Sequence, residues 1–241
     1  MSNKEINKEN IDFYLNEFAR EFKRLSKRKA KIEIIIIGGG SALINYGFRN
    51  STYDIDAIMF EKSISKEAAR IVADRYDLPD DWLNNDFVRS SSYTDKLILH
   101  SVYYKTFCNC VDVRTVKGEY LVAMKLKSGR IYKHDLSDIV GIILSEKMIG
   151  NNISYNRILD AYKELYNNIL DIDERILKDL KTQTEMSAEE LKEKYDLLTE
   201  YESGNKQLLL EFNDLYHIRL DRDKINETIE SFKESKMKKD M

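Results

Sequence analysis

The sequence predicts an α+β protein: a small mixed β-sheet core flanked by helices, with a helical C-terminal region. Three observations predict it. Ile32 to Ile37 is a β-branched run interrupted only by Glu33 that stops at three glycines, as a strand buried on both faces does. Alternating segments around Asp54 to Phe60 and Cys108 to Val116 supply more strands. Beyond Gly150 the apolar residues recur at helical spacing with few turn residues between them. One proline and nine glycines in 241 residues also favour helices over a many-turned β fold. The chain divides near residue 150 into a sheet-bearing part, 1–150, and a helical part, 151–241.

Each element follows in order. Ile11, Tyr14, Leu15, Phe18, Phe22 and Leu25 predict an opening amphipathic helix over about residues 6–28. After the first strand, residues 41–46 read as a short helix that Gly47 ends. Residues 53–60 form the second strand and 65–76 the next helix. LPDDWLNNDF reads as a polar loop in which Trp82 is an anchor. Residues 97–104 and 108–116 read as two strands joined around Lys105 and Thr106. EYLVAMKLKSG is a helix stopped by Gly129, and HDLSDIVGIILSE is the next. The stripe from Tyr155 to Leu180 predicts long helical packing, as a core or a dimer seam. Ser187 and Glu190 form a capping box for a helix to about Tyr201, where Ser203, Gly204 and Asn205 break it. The lysine-rich end reads as a frayed tail.

Composition narrows function. The net charge of −3 gives no global attraction to nucleic acid, although 39 lysines and arginines leave room for a local basic patch. Cys108 and Cys110 cannot make a full zinc site alone and read as a reduced pair on one strand. No apolar stretch reaches signal-peptide or membrane-spanning length, so a cytoplasmic protein without membrane partners is expected.

The chemistry concentrates in IEIIIIGGGSALINYGFRNSTYDIDAIMF. Asp54 and Asp56, two apart on a strand, share a face and can grip a divalent metal such as Mg²⁺ or Mn²⁺. Gly39, Gly40 and Ser41 turn the preceding strand into a helix, whose N–H groups and serine hydroxyl suit phosphate. A structural role is the alternative for each: an acidic edge strand for the pair, and a tight turn capped by Ser41 for the glycines.

The order strand, GG-S, short helix, Arg, then T-x-D-I-D resembles the core of the polymerase-β-like nucleotidyltransferases. The downstream EYLVAMKLKSGRIYKHDLSDI resembles the segment seen in small bacterial members, including abortive-infection-type toxins of type IV toxin–antitoxin systems. The resemblance covers about residues 30–145. It implies Mg²⁺-dependent transfer of a nucleoside monophosphate from an NTP to a hydroxyl, on an RNA 3′ end such as tRNA or on a protein. It also implies a third carboxylate, for which Asp112 is the candidate, and a lysine near the phosphates, Lys125. Arg49 and Arg130 serve the same end, while Asp135 and Asp138 hold that basic cluster or cap the helix. Asn84, Asn85 and Asp86 would border the site. An antitoxin protein is the partner that such a toxin implies, and the tyrosine stripe, if a dimer seam, would take a second copy of the chain. A catalytically inactive nucleotide- or partner-binding module on the same fold is the competing expectation.

Overall fold

The computed structural model describes residues 4–59, 62–217 and 224–239. Five strands form the main sheet, in the order β5 (Leu83–Asn84), β4 (Ile55–Met59), β2 (Ile32–Ile36), β7 (Val111–Val116) and β6 (Ser101–Phe107). β2 runs parallel to β7 and antiparallel to β4, so the sheet is mixed. A two-residue ribbon pairs β1 (Ile6–Asn7) with β3 (Ser51–Thr52) beside it.

Each face of the sheet buries its own core. Ile34, Ile36, Ala57, Val111 and Val113 point towards α1 (Ile11–Leu25) and α3 (Lys62–Tyr76). α1 delivers Ile11, Leu15, Phe18 and Phe22 to that core, as its spacing predicts, although it is shorter at both ends than the periodicity suggests. Trp82 is fully buried there and donates its Nε1 hydrogen to Ala69 O at 2.9 Å. It anchors the loop, and that anchoring lets the supposed irregular segment add β5 to the sheet.

The other face, with Ile35, Ile37, Ile58 and Val116, packs under α4 (Gly118–Ser128) and α5 (Asp135–Met148). This second core continues through Ile158 and Tyr162 on α6 (Tyr155–Tyr166), Leu180 on α7 (Glu174–Glu185) and Leu191 on α8 (Ala188–Tyr216). The tyrosine stripe thus contributes to an internal core. It is split at Asn167, whose φ of +72° ends α6.

Other boundaries differ from the sequence reading: the helix after β2 begins at Gly38, β4 at Ile55 and α3 at Lys62, and the larger departures are these. Residues 95–100 form a 3-10 helix where a strand was expected, and β6 begins only at Ser101. The hairpin turns at Cys108 and Asn109, both with positive φ, so the two cysteines lie at a turn and do not share a strand face. Finally, α8 runs unbroken through Ser203, Gly204 and Asn205. Buried Glu202 and Asn205 flank the glycine and tie the helix down. Asn205 Nδ2 donates to Ile131 O at 2.7 Å, and Glu202 accepts from the backbone N–H of Leu136 at 2.7 Å and from Ser137 Oγ at 2.5 Å. These bonds outweigh the roughly 1 kcal/mol that an interior glycine costs a helix. The capping box of Ser187 and Glu190 forms as read. α9 (Ile225–Lys239) folds back on α8 through Phe232 against Phe212, where a frayed tail was expected; positions 240 and 241 lie outside the described residues.

Glu202 couples this arrangement to pH. Burial pushes its carboxyl up to about 7 from 4.5, against the pull of its three donors. The folded chain therefore holds a proton that the unfolded chain has released, and stability falls as pH rises through that window. Wild-type stability relative to Glu202→Gln is expected to drop by up to about 3 kcal/mol between pH 4.5 and 7 in urea titrations. A difference that is flat with pH would contradict this.

Candidate active site

The cleft opens where β2 and β4 meet α2 (Gly38–Asn45). β2 ends at Ile36, and the chain turns directly into α2 through Gly38, whose φ of +55° favours glycine. A Cβ on Gly39 would stand 2.8 Å from the Arg49 guanidinium carbon, and one on Gly40 would stand 2.8 Å from Ile36 Cγ2. The glycines therefore let Arg49 lie over the turn and let α2 sit tightly on the sheet. The first N–H groups of α2 have no intrahelical acceptor and remain available to an anion.

Asp56 stands beside this turn. Its Oδ2 is 3.9 Å from where a Gly38 Cβ would be. Ile37 N–H donates to Asp56 O at 3.0 Å, which fixes the strand against the turn. Burial raises the Asp56 carboxyl above its usual range, and the Asp54 charge adds to that; Lys133, Arg130 and Lys125 oppose it. Asp54 is exposed and stands one residue before β4, close enough for its charge to act on Asp56. No salt bridge engages either carboxylate among the described residues.

Lys125 lies under the cleft. Its ammonium is buried and reaches Asp135 Oδ1 at 2.9 Å and Asp138 Oδ2 at 2.7 Å. Burial alone would lower its pKa, but the two carboxylates outweigh that and raise it. Arg130 Nε holds Asp135 from the other side at 2.8 Å, and Arg49 Nη1 holds Asp138 at 2.8 Å. The five groups form one chain of charges running from the α4–α5 loop to the glycine turn. Asp135 and Asp138 hold the basic cluster, as the sequence reading had them.

Two expected site residues are placed elsewhere. Asp112 pairs in register with Glu33, whereas Asp56 is level with Ile37. Four residues of strand, roughly 13 Å, and an intervening strand separate the two acids. Asp112 instead accepts from Thr106 Oγ1 across the hairpin at 2.5 Å. It cannot bridge a metal held by Asp54 and Asp56, and this corrects its reading as the third acid. Ser41 is fully buried, and its Oγ accepts from Val116 N–H at 3.0 Å. Its hydroxyl ties α2 to the end of β7 and does not face the phosphate position, which corrects that reading too.

A profile of nucleotidyltransferases of unknown function (DUF6036) matches residues 14–196. The chain belongs to this family. No curated protein and no solved structure matches it. The matched span runs from α1 into α8, so the family's extent includes helices well beyond the glycine turn and the aspartate pair.

Lys133 is the residue of this nucleotidyltransferase that the sequence reading missed. Although its side chain reaches solvent, crowding by the loop and the Arg130 charge lower its pKa, while Asp54, Asp56 and Asp135 act in the opposite direction. It is a cation of the α4–α5 loop on which both Asp54 and Asp56 act. Its position two residues before Asp135 was the available signal, but a surface loop lysine carries no pattern of its own. On the far side of β4, Asn84 pairs in register with Asp56, and its side chain is engaged by Asp81 O and Asp86 N–H.

Removing Lys125 leaves two buried carboxylates with one guanidinium each. Lys125→Met is expected to cost about 3 kcal/mol in chemical denaturation at neutral pH. Wild-type stability in the variant would show that the buried ammonium is not what holds α4 to α5.

Proposed function

We propose that this protein transfers a nucleoside monophosphate from an NTP to a hydroxyl acceptor, with Asp54 and Asp56 as metal ligands. The acceptor hydroxyl gives up its proton to solvent, its oxygen attacks the α-phosphorus, the bond from that phosphorus to the α–β bridging oxygen breaks, and pyrophosphate leaves. The observation that carries this reading is the unpaired Asp54–Asp56 face set against the Gly38 turn.

The donor set suits Mg²⁺, or Mn²⁺, delivered with the nucleotide. Mg²⁺ is held through one or two carboxylates plus substrate phosphates and keeps several waters, and no cluster of three or more His, Cys, Asp or Glu occurs among the described residues. Such an ion supplies charge neutralisation at the phosphates when bound. The chain's own groups do the rest. The N–H groups at the start of α2 receive the β- and γ-phosphates. Lys133, and Arg130 behind it, offset the negative charge that develops on the leaving pyrophosphate. Lys125 and Arg49 act by position: their ion pairs fix the loop that carries Lys133 and the turn that carries Gly39.

The acceptor class is an RNA 3′ end, with tRNA as the first case to test, or a protein hydroxyl. A role as the toxin of a toxin–antitoxin or phage-defence pair accords with that chemistry, and the antitoxin would then be a protein partner. A second reading, a nucleotide-binding module without turnover, is favoured by one observation. Asp112 is remote, and both Lys125 and Arg49 are committed to carboxylates.

Incubating the protein with Mg²⁺, each α-labelled NTP and total RNA or cell extract separates the two. Transfer of label by wild type, reduced at least about a hundredfold in Asp54→Asn and Asp56→Asn, is expected. Asp112→Asn is expected to keep wild-type activity. Triphosphate binding in calorimetry without label transfer to any acceptor would favour the binding module.

A further inference from the structure

The α4–α5 loop carries Arg130 and Lys133, yet much of its backbone is held by side chains from the C-terminal helices. Asn226, in the first turn of α9, spans the start of the loop with one amide. Ile131 N–H donates to Asn226 Oδ1 at 3.3 Å, and Asn226 Nδ2 donates to Gly129 O at 2.9 Å. The backbone N–H can only donate and the carbonyl can only accept, so one orientation of the amide satisfies both. Asn205, buried on α8, donates from Nδ2 to Ile131 O at 2.7 Å. Between these bonds, Arg130 N–H donates to Asp135 Oδ2 at 3.2 Å. Three consecutive residues are thus fixed by side chains. Both asparagines lie beyond residue 196, where the family profile ends.

The bonds of Asn226 hold the loop more than they hold α9. That helix is already fixed to α8 by Phe232 against Phe212 and by Lys236 to Glu211 at 2.6 Å. Lys133 is in the opposite position. It is exposed, and no salt bridge engages it among the described residues, although the charges of Asp54 and Asp56 act on it. Its place beside that pair therefore depends on the backbone that carries it. Gly129, with φ of +55°, ends α4 and starts the five residues that lead to α5. A clamp on residues 129–131 fixes where those residues set out.

We infer that Asn226 is a positioning residue of the aspartate cleft: with Asn205 it clamps Gly129 to Ile131, and the clamp holds Lys133 where it meets the triphosphate. This rests on the nucleotide-transfer reading of that cleft. It makes α9, outside the span that the family profile matches, a working part of the site.

Calorimetry of the full chain with Mg²⁺ and non-hydrolysable analogues of the four NTPs, alongside hydrogen–deuterium exchange, tests the role. Asn226→Ala, and Asn226→Leu, which keeps the volume without the amide, are each expected to weaken triphosphate binding about fivefold. Both should speed exchange in peptides covering residues 129–134. Lys133→Ala should weaken binding on its own, and adding Asn226→Ala to it should cost little more, because both changes remove the same contact. A merely structural role would leave the two losses additive. Additive losses, wild-type affinity in the Asn226 variants, or unchanged exchange in the loop would overturn the positioning role and leave the nucleotide reading standing. Absence of triphosphate binding by wild type would overturn both. If Asn226→Ala fails to fold, Asn226→Leu takes its place in the double variant.

Discussion

Lys125 carries its charge into the interior of the protein, where Asp135 and Asp138 meet it at 2.9 and 2.7 Å. Burying an ammonium alone would be prohibitive, and burying either carboxylate alone would be little better. Together, and with Arg130 and Arg49 closing the two ends, they form a network in which each charge has a partner. Such a network adds little net stability over a well-packed apolar core. Its effect here is positional. It locks α4 to α5, sets the loop between them beside the aspartate pair, and pins Arg49 over Gly39.

The same constraint explains why the glycines are needed. Arg49 can reach Asp138 only by crossing the turn, and a side chain at position 39 would stand in its path. Gly38 needs its left-handed φ to turn the chain from β2 into α2 at once. The proposed phosphate binding and the close packing therefore make compatible demands on one turn. Glu202 extends the arrangement outwards, since it caps the start of α5 from α8 and so ties the long C-terminal helix to the helix that holds Asp135 and Asp138.

Much of this was legible in the sequence. The isoleucine-rich strand, the Gly129 stop and the Ser187 capping box rest on local chemistry, and each appears where it was read, whereas the second strand begins at Ile55 and leaves Asp54 just before it. What failed was register and direction. Asp112 lies on the sheet face that carries Asp56, yet four residues along it, and no local pattern encodes how far parallel strands are offset. Ser41 has the residue type of a phosphate donor, but only the three-dimensional arrangement shows Val116 N–H waiting for it. The apparent break at Ser203 to Asn205 was overridden by buried bonds from Glu202 and Asn205, and tertiary bonds of that kind routinely defeat helix propensity.

The central claim is that metal and triphosphate meet at Asp54, Asp56 and the Gly38 turn. Anomalous scattering from crystals grown with Mn²⁺ and a non-hydrolysable nucleoside triphosphate tests it most directly. The account predicts manganese density between the Asp54 and Asp56 carboxylates, with the phosphates against the N–H groups of residues 38–40. Manganese beside Asp112, or a triphosphate bound with no metal at the aspartate pair, would contradict it.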